Sequence, residues 1–194
     1  MPKPNVRDQL LKAGLDIMHQ FGFNGCSVQD ITQAADVPKG SFYNHFESKE
    51  AFGAEVLGLY WQNMARVSLQ ILSDRSLSPI ARLERFFTEL AKELAALKYE
   101  RGCLFGNLGA ELSERSRIVQ ERLSALFASW TQVLENCVRE AQIAGEIRAD
   151  LDASILAAFL VNAWEGAVLR SKIDRDEKSL EQFNVVVFST LLVC

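Results

Sequence analysis

Apolar residues recur along this chain at helical spacing almost from its start. Val6, Leu10, Ala13, Ile17 and Phe21, spaced by 4, 3, 4 and 4, form one face of a first helix that ends at Gly22. Ser27 then precedes a shorter apolar set, Val28, Ile31, Ala34 and Ala35. Asp30 lies three residues beyond it, the spacing of a reciprocal cap at a helix start. Proline disfavours helix in the residue before it and suits a first helical position, so Asp36-Val37-Pro38 stops the second helix near Ala35 and opens a third. In that third helix Phe42 and Phe46, four apart, face inward, while Lys39, Ser41, Tyr43, Asn44 and His45 are left outward. Ser48 caps a fourth, with Glu50 in its first turn where the helix dipole favours negative charge.

The fourth helix runs from Lys49 toward Leu72 and ends in the polar loop SDRSLS; Ser78-Pro79 opens another that extends to about Tyr99. GCLFGNLGAEL follows with three glycines in eight residues, a poor uniform helix that predicts irregular backbone beside a cavity. Arg115 to Ala144 carries Leu123, Leu126, Phe127, Trp130, Val133, Leu134, Cys137 and Val138 at helical spacing, and Gly145 ends it. Asp152 caps a helix with Ile155, Leu156, Phe159, Leu160, Ala163, Trp164, Ala167 and Val168; residues 177–194 close in FNVVVFSTLLV. The apolar surface of these last two wraps more than one face, more than one chain buries alone. By pattern the VVVF run fits a strand equally well, since β-branched residues favour one.

Two helices joined by a tight turn, the second able to lie in a major groove, make a helix-turn-helix. The residue types of 24–52 sharpen that reading. Gly40 lets backbone approach a phosphate, Lys39 and Lys49 offer charge, and Ser27, Ser41, Tyr43, Asn44 and His45 offer polar groups at two helix starts. The alternative is a packed three-helix subdomain with ordinary solvated polar groups.

The order GFNGCSVQDITQAADVPKGSFYNHFESKEAF closely resembles the N-terminal signature of the TetR family of transcriptional regulators. There a glycine-aromatic pair ends the first helix and a [ST]-x-x-x-I-x-x-x-A-x-V run precedes K-G-[ST]-[FL]-Y-x-[HY]-F-x-[SN]-K. The match covers roughly residues 5–55, about a quarter of the chain. It implies an all-α fold: a helix-turn-helix head over residues 1–48 and a helical bundle over 49–194 for ligand binding and dimerisation. It also implies that the last two helices form a four-helix interface with their twins, which decides the VVVF run as helix. Such a homodimer would present two reading segments about one DNA turn, ~34–36 Å, apart to a palindromic double-stranded operator.

Composition agrees with a folded domain: 194 residues, 48% hydrophobic and only four prolines. No apolar run approaches the ~20 residues that cross a bilayer, and MPKPNVRDQ lacks the apolar centre of a signal peptide, so a cytoplasmic protein is expected. Cys26, Cys103, Cys137 and Cys194 are far apart, which disfavours a zinc site and predicts thiols. Charge runs against a broad basic face: the chain is net −4, and residues 1–50 carry five Lys/Arg against six Asp/Glu. The footprint must then be local, with Lys3, Arg7, Lys39 and Lys49 near phosphates, the acids capping helices or facing away, and the whole doubled by a dimer partner.

Cys103, beside Arg101 and between glycine-rich flanks, is the most reactive-looking thiol, because a nearby cation lowers a thiol's pKa; a small buried hydrophobe is the ordinary reading. RGCLFGNLGAE and the later WEGAVLRSKI resemble the subgroup that includes the repressor of N-ethylmaleimide reductase and the acrylate-utilisation repressor. In the former, a cysteine in a G-C-L context senses electrophiles with a lysine in an A-K-I context, positions that fall on Cys103 and Lys172 here, with S-K-I replacing A-K-I. The acrylate-type relatives share R-G-C-L-x-G-N-L-G and imply a reversibly bound small acid, so thiol chemistry and reversible binding both stay open. Further effector-binding candidates are Tyr99, Phe105, Asn107 and Glu111 near the glycine-rich segment, and Trp164, Glu165 and Arg170 on the penultimate helix. Trp164 is weighed against a core role, and Arg170 against an ion pair with Glu165 or Asp174. No cofactor, metal or enzyme activity is expected. The only histidines, His19 and His45, lie in the predicted head away from Cys103, and neither G-x-G-x-x-G nor G-x-x-x-x-G-K-[ST] occurs. A purely structural dimerisation module would leave the outward residues of the head without purpose.

Overall fold

The computed structural model describes residues 5–192; the expectations placed on Lys3 and Cys194 fall outside that range. Among the described residues the chain is helical throughout: α1 Val6–Phe21, α2 Val28–Ala34, α3 Gly40–Tyr43, α4 Lys49–Leu72, α5 Pro79–Ala96, α6 Leu104–Leu112, α7 Arg117–Ile143, α8 Ala153–Asp174 and α9 Lys178–Val186, which runs on as a π-helical turn, Val187–Leu191. Two compact units result. The first comprises residues up to 63 together with 103–126, and the second 64–102 with 127–194, so α4 and α7 each contribute to both.

In the first unit the local signals act as read. Gly22 ends α1 with φ 77, Ser27 and Asp30 form the reciprocal cap of α2, and Asp36 turns the chain at φ 53. The Ser48 hydroxyl accepts the Ala51 N–H (3.0 Å) and so opens α4. Three expectations are corrected. The buried face of α1 is Leu10, Leu11, Gly14 and Met18, whereas Phe21 is 55% exposed. The face turned because Gly14 has no side chain: a Cβ there would fall 2.2 Å from Phe52 Cζ, and α4 packs into that gap. The glycine-rich segment, expected to be irregular, is the regular helix α6. Its glycines fall away from Leu104, Phe105, Leu108 and Leu112, which are buried and carry the packing. The third helix is shorter than read, Gly40–Tyr43, and closes through i→i+3 bonds such as Ser41 N–H to Pro38 O (2.9 Å).

The second unit is built on aromatic packing. Phe87 lies 5.0, 5.1 and 4.8 Å from the rings of Phe86, Trp164 and Phe183. Arg82 is buried beside this core and donates to Leu72 O (2.6 Å) and to Glu140 (2.6 Å), which also pairs with Arg75. The VVVF run is helical, ending in the π turn. α8 carries apolar residues on more than one face: Leu156, Leu160, Trp164 and Val168 are buried, while Ile155, Phe159, Leu169 and Ile173 stay exposed, as do Val185 and Val186 on α9. By length and composition alone α8 is also apolar enough to cross a membrane, which corrects the expectation that no stretch reaches that length.

Candidate functional site

The reading head is an exposed polar arc resting on an aromatic base. Phe42 and Phe46 are buried, with Phe52 from α4 at 5.1 and 4.7 Å. That base leaves Lys39, Gly40, Tyr43, Asn44 and His45 exposed and Ser41 half-buried. Tyr43 is 61% exposed, with one edge against Phe42. Nothing lies within 4 Å of where a Cβ on Gly40 would sit, so the space over this backbone is open. These six of the eight DNA contacts expected within 24–52 form one stretch, 39–45, interrupted only by buried Phe42.

The other candidates for DNA contact are engaged inside the head. Ser27 Oγ accepts from Asp30 N (3.2 Å), while the Ser27 hydroxyl and the Ser27 backbone N–H each donate to the Asp30 carboxylate (2.7 Å) and hold this carboxyl below its usual range. The Lys49 ammonium donates to the carbonyls of Phe23 and Cys26 and sits 4.2 Å over the Phe23 ring, so it braces the α1–α2 turn. Arg7 pairs with Glu55 and lies over Phe46. Lys12 and Lys39 are the exposed lysines among the described residues up to 48, in keeping with a local footprint.

Cys103 is the N-cap residue of α6 and is 8% exposed. Its Sγ lies 4.0 Å from the Tyr60 hydroxyl, and the Tyr60 ring is edge-on to Phe105 (5.3 Å) and His19 (5.4 Å). Contrary to the expectation from the sequence, His19 is not set apart from Cys103: α1 and α4 bring it to within one tyrosine of the thiol. Tyr60 was missed because nothing local distinguishes it from a packing aromatic; only the α4–α6 packing makes it a neighbour of Cys103. Asn107 and Glu111 follow Cys103 at successive turns of α6, and Glu111 accepts the N–H groups of Phe23 (3.1 Å) and Asn24 (2.7 Å). Burial holds Cys26 above the usual thiol range and pushes Cys137, whose Sγ also donates to Pro79 O (3.4 Å), up to about 11. Both are kept as thiols, the unreactive form.

The candidates of the second unit do different things. Trp164 is 2% exposed and wedged against Phe87 and Phe183, a core role. Arg170 pairs with Asp174 on an exposed flank of α8, one of the two partners weighed for it. Glu165 and Lys172 are half-buried. Tyr99 follows α5 with φ 57 and its hydroxyl donates to Glu177 (3.4 Å). A groove in this unit is lined by Met64, Val67, Ser68, Ile71, Phe86, Glu89, Leu90 and Glu93, none of them nominated from the sequence.

A helix-turn-helix whose short reading segment carries an exposed polar arc defines a DNA-binding regulator. Residues 10–56 match the profile of bacterial regulatory proteins, tetR family, and residues 79–186 match that of the tetracyclin repressor-like C-terminal domain. The chain is 43% identical over 192 residues to the HTH-type transcriptional repressor DhaR of Mycobacterium sp. (strain GP1), covering 99% of this chain and 95% of that protein. It is 39% identical over 179 residues to the transcriptional regulator AcuR of Cereibacter sphaeroides, covering 92% and 81%. The crystal structure of regulatory protein TetR from Rhodobacter sphaeroides superposes with a TM-score of 0.89 at 35% identity, over 96% of this chain and 98% of that one. The chain belongs to the TetR family of transcriptional regulators.

Proposed function

We propose that this protein is a cytoplasmic, ligand-responsive repressor that binds a palindromic operator as a homodimer and is released by a small electrophilic or unsaturated metabolite acting at Cys103. In this reading residues 1–48 form the DNA-binding domain and 49–194 the effector and dimerisation domain. The observation that carries it is the exposed arc of Lys39, Gly40, Tyr43, Asn44 and His45 held on buried Phe42 and Phe46. The apolar stripe of Ile155, Phe159, Leu169 and Ile173 with Val185 and Val186 supports pairing of α8 and α9 with a second copy. Placement of Cys103 at the start of α6, against the Tyr60 hydroxyl, supports sensing there: that O–H can donate to a thiolate, or to an oxygen of a bound ligand.

Effector and operator then compete through one conformational equilibrium. A preference of about 1–3 kcal/mol for the released geometry weakens operator binding roughly 5–150-fold, and operator weakens effector binding by the same factor. The test is fluorescence anisotropy on the DNA upstream of the protein's own coding sequence, with and without N-ethylmaleimide, for wild type and Cys103→Ser. Release by the reagent in wild type and its loss in Cys103→Ser is the expected pattern. An unaltered response in Cys103→Ser replaces thiol chemistry with reversible binding of a small acid, and no salt-dependent binding to that DNA refutes the operator assignment.

A further inference from the structure

We propose that Glu111 is a positioning residue for operator binding: its carboxylate seats the turn between α1 and α2 and so makes the placement of the reading helices depend on α6. The inference rests on the family's DNA-binding function and is independent of what the effector is.

Gly22 turns the chain at φ 77 and directs two consecutive N–H groups, those of Phe23 and Asn24, at one place. Glu111 fills it, with Oε1 at 3.1 Å from Phe23 N and Oε2 at 2.7 Å from Asn24 N, so one carboxylate spans both amides across more than eighty residues of sequence. The fit needs a bare backbone: a Cβ on Gly22 would fall 2.4 Å from Oε1. Lys49 completes the clamp by donating to the carbonyls of Phe23 and Cys26. The turn's amides thus face an anion from α6 while its carbonyls face a cation from α4. Hydrogen bonds to ionised groups are shorter and stronger than neutral ones, and the bond to the Phe23 amide is part-buried.

The clamp is mechanically connected at both ends. Cys103 caps the start of a single nine-residue helix, α6, and Asn107 and Glu111 follow at four-residue spacing, so the cap residue and the clamping carboxylate belong to one short element. At the other end the clamped turn leads directly into the Ser27 cap of α2, whose successor α3 carries the exposed arc. A shift or tilt of α6 therefore reaches the head as a displacement of the Phe23 and Asn24 amides. Two hydrogen bonds from one carboxylate fix both the position and the angle of the turn relative to α6.

The test uses the full chain with Glu111→Gln and Glu111→Asp. Gln keeps the size but turns an N–H₂ toward one of the two amides; Asp keeps the charge and falls one methylene short. In the free protein, the Phe23 and Asn24 amides should exchange roughly ten- to a hundred-fold faster in Glu111→Gln, with Ile31 exchange unchanged. Operator affinity of the folded variant, verified by circular dichroism, should fall roughly ten-fold, with Glu111→Asp between it and wild type. A merely structural role would lower thermal stability and speed exchange at these two amides yet leave the operator affinity of folded protein as in wild type, and that result overturns the proposal. If Glu111→Gln does not fold, Glu111→Asp decides: wild-type exchange at Phe23 and Asn24 overturns the clamp. If wild type itself fails to bind the upstream DNA, the operator assignment fails while the exchange experiment still judges Glu111.

Discussion

Replacing Gly14 by alanine sets two effects of opposite sign against each other. Within a helix, Gly→Ala gains about 1 kcal/mol by restricting the unfolded chain. Gly14, however, is buried in α1, and its Cβ would lie 2.2 Å from Cζ and 2.4 Å from Cε1 of Phe52, and 3.3 Å from Val56 Cγ2. An aromatic ring free to swing would absorb this cheaply. Phe52 is not free: it is fully buried, with the Phe42 and Phe46 rings 5.1 and 4.7 Å away. Overpacking of this kind costs about 1–3 kcal/mol, and two contacts this close put it at the upper end. The net loss is about 2 kcal/mol, a fall of about 1 M in the urea midpoint for a slope of about 2 kcal/mol/M. Urea unfolding followed by circular dichroism measures it, at fixed protein concentration because association would add to apparent stability. Gly109→Ala on α6 is the control. Its Cβ would meet only Leu123 Cδ1 at 3.7 Å, so the helical gain of up to about 1 kcal/mol should appear undiminished. A Gly14→Ala midpoint at or above wild type would falsify the claim that the aromatic base of the reading head is rigid.

Glu140→Ala should cost about 3 kcal/mol at pH 7, because it leaves the buried Arg82 guanidinium without its carboxylate; a loss within error of zero in urea titration would contradict this. The Arg82 and Arg75 hydrogen bonds hold the Glu140 carboxyl below its usual value of 4.5. That contribution is therefore complete above pH 4.5 and lost as pH falls through the lower folded value, and Glu140→Gln should show a shallower fall in stability than wild type on acidification. The double variant Phe159→Glu/Ile173→Glu should sediment as a monomer with unchanged helical content, because two charges per copy in an apolar contact would have to be desolvated; an unaltered mass would move the dimer contact away from α8.

Much of the helical layout could be read directly because its signals are local. The Ser27–Asp30 cap, the Gly22 stop, Ser48 and Ser78-Pro79 act on neighbours within four residues, and each appears where the spacing placed it. The failures share another cause. The apolar spacing put Phe21 on the buried face of α1 because no local signal shows that Phe52 enters at Gly14, and the glycines of 102–109 predict irregular backbone although Leu104, Phe105, Leu108 and Leu112 supply burial that outweighs their low propensity. Lys49 read as a free cation because its partners, the carbonyls of Phe23 and Cys26, are far away in sequence.

The linear order of residues determined most of the helices, the capped ends of α1, α2, α4 and α5, and the exposed polar character of the arc from Lys39 to His45, since caps, turns and periodicity are set by near neighbours. Tertiary packing alone decided that Tyr60 and His19 stand by Cys103, that Trp164 is core, and that Glu111 holds the α1–α2 turn. These relations join residues from different helices. Their energies come from the exclusion of water and from directed hydrogen bonds between groups that have no fixed distance until the chain has folded.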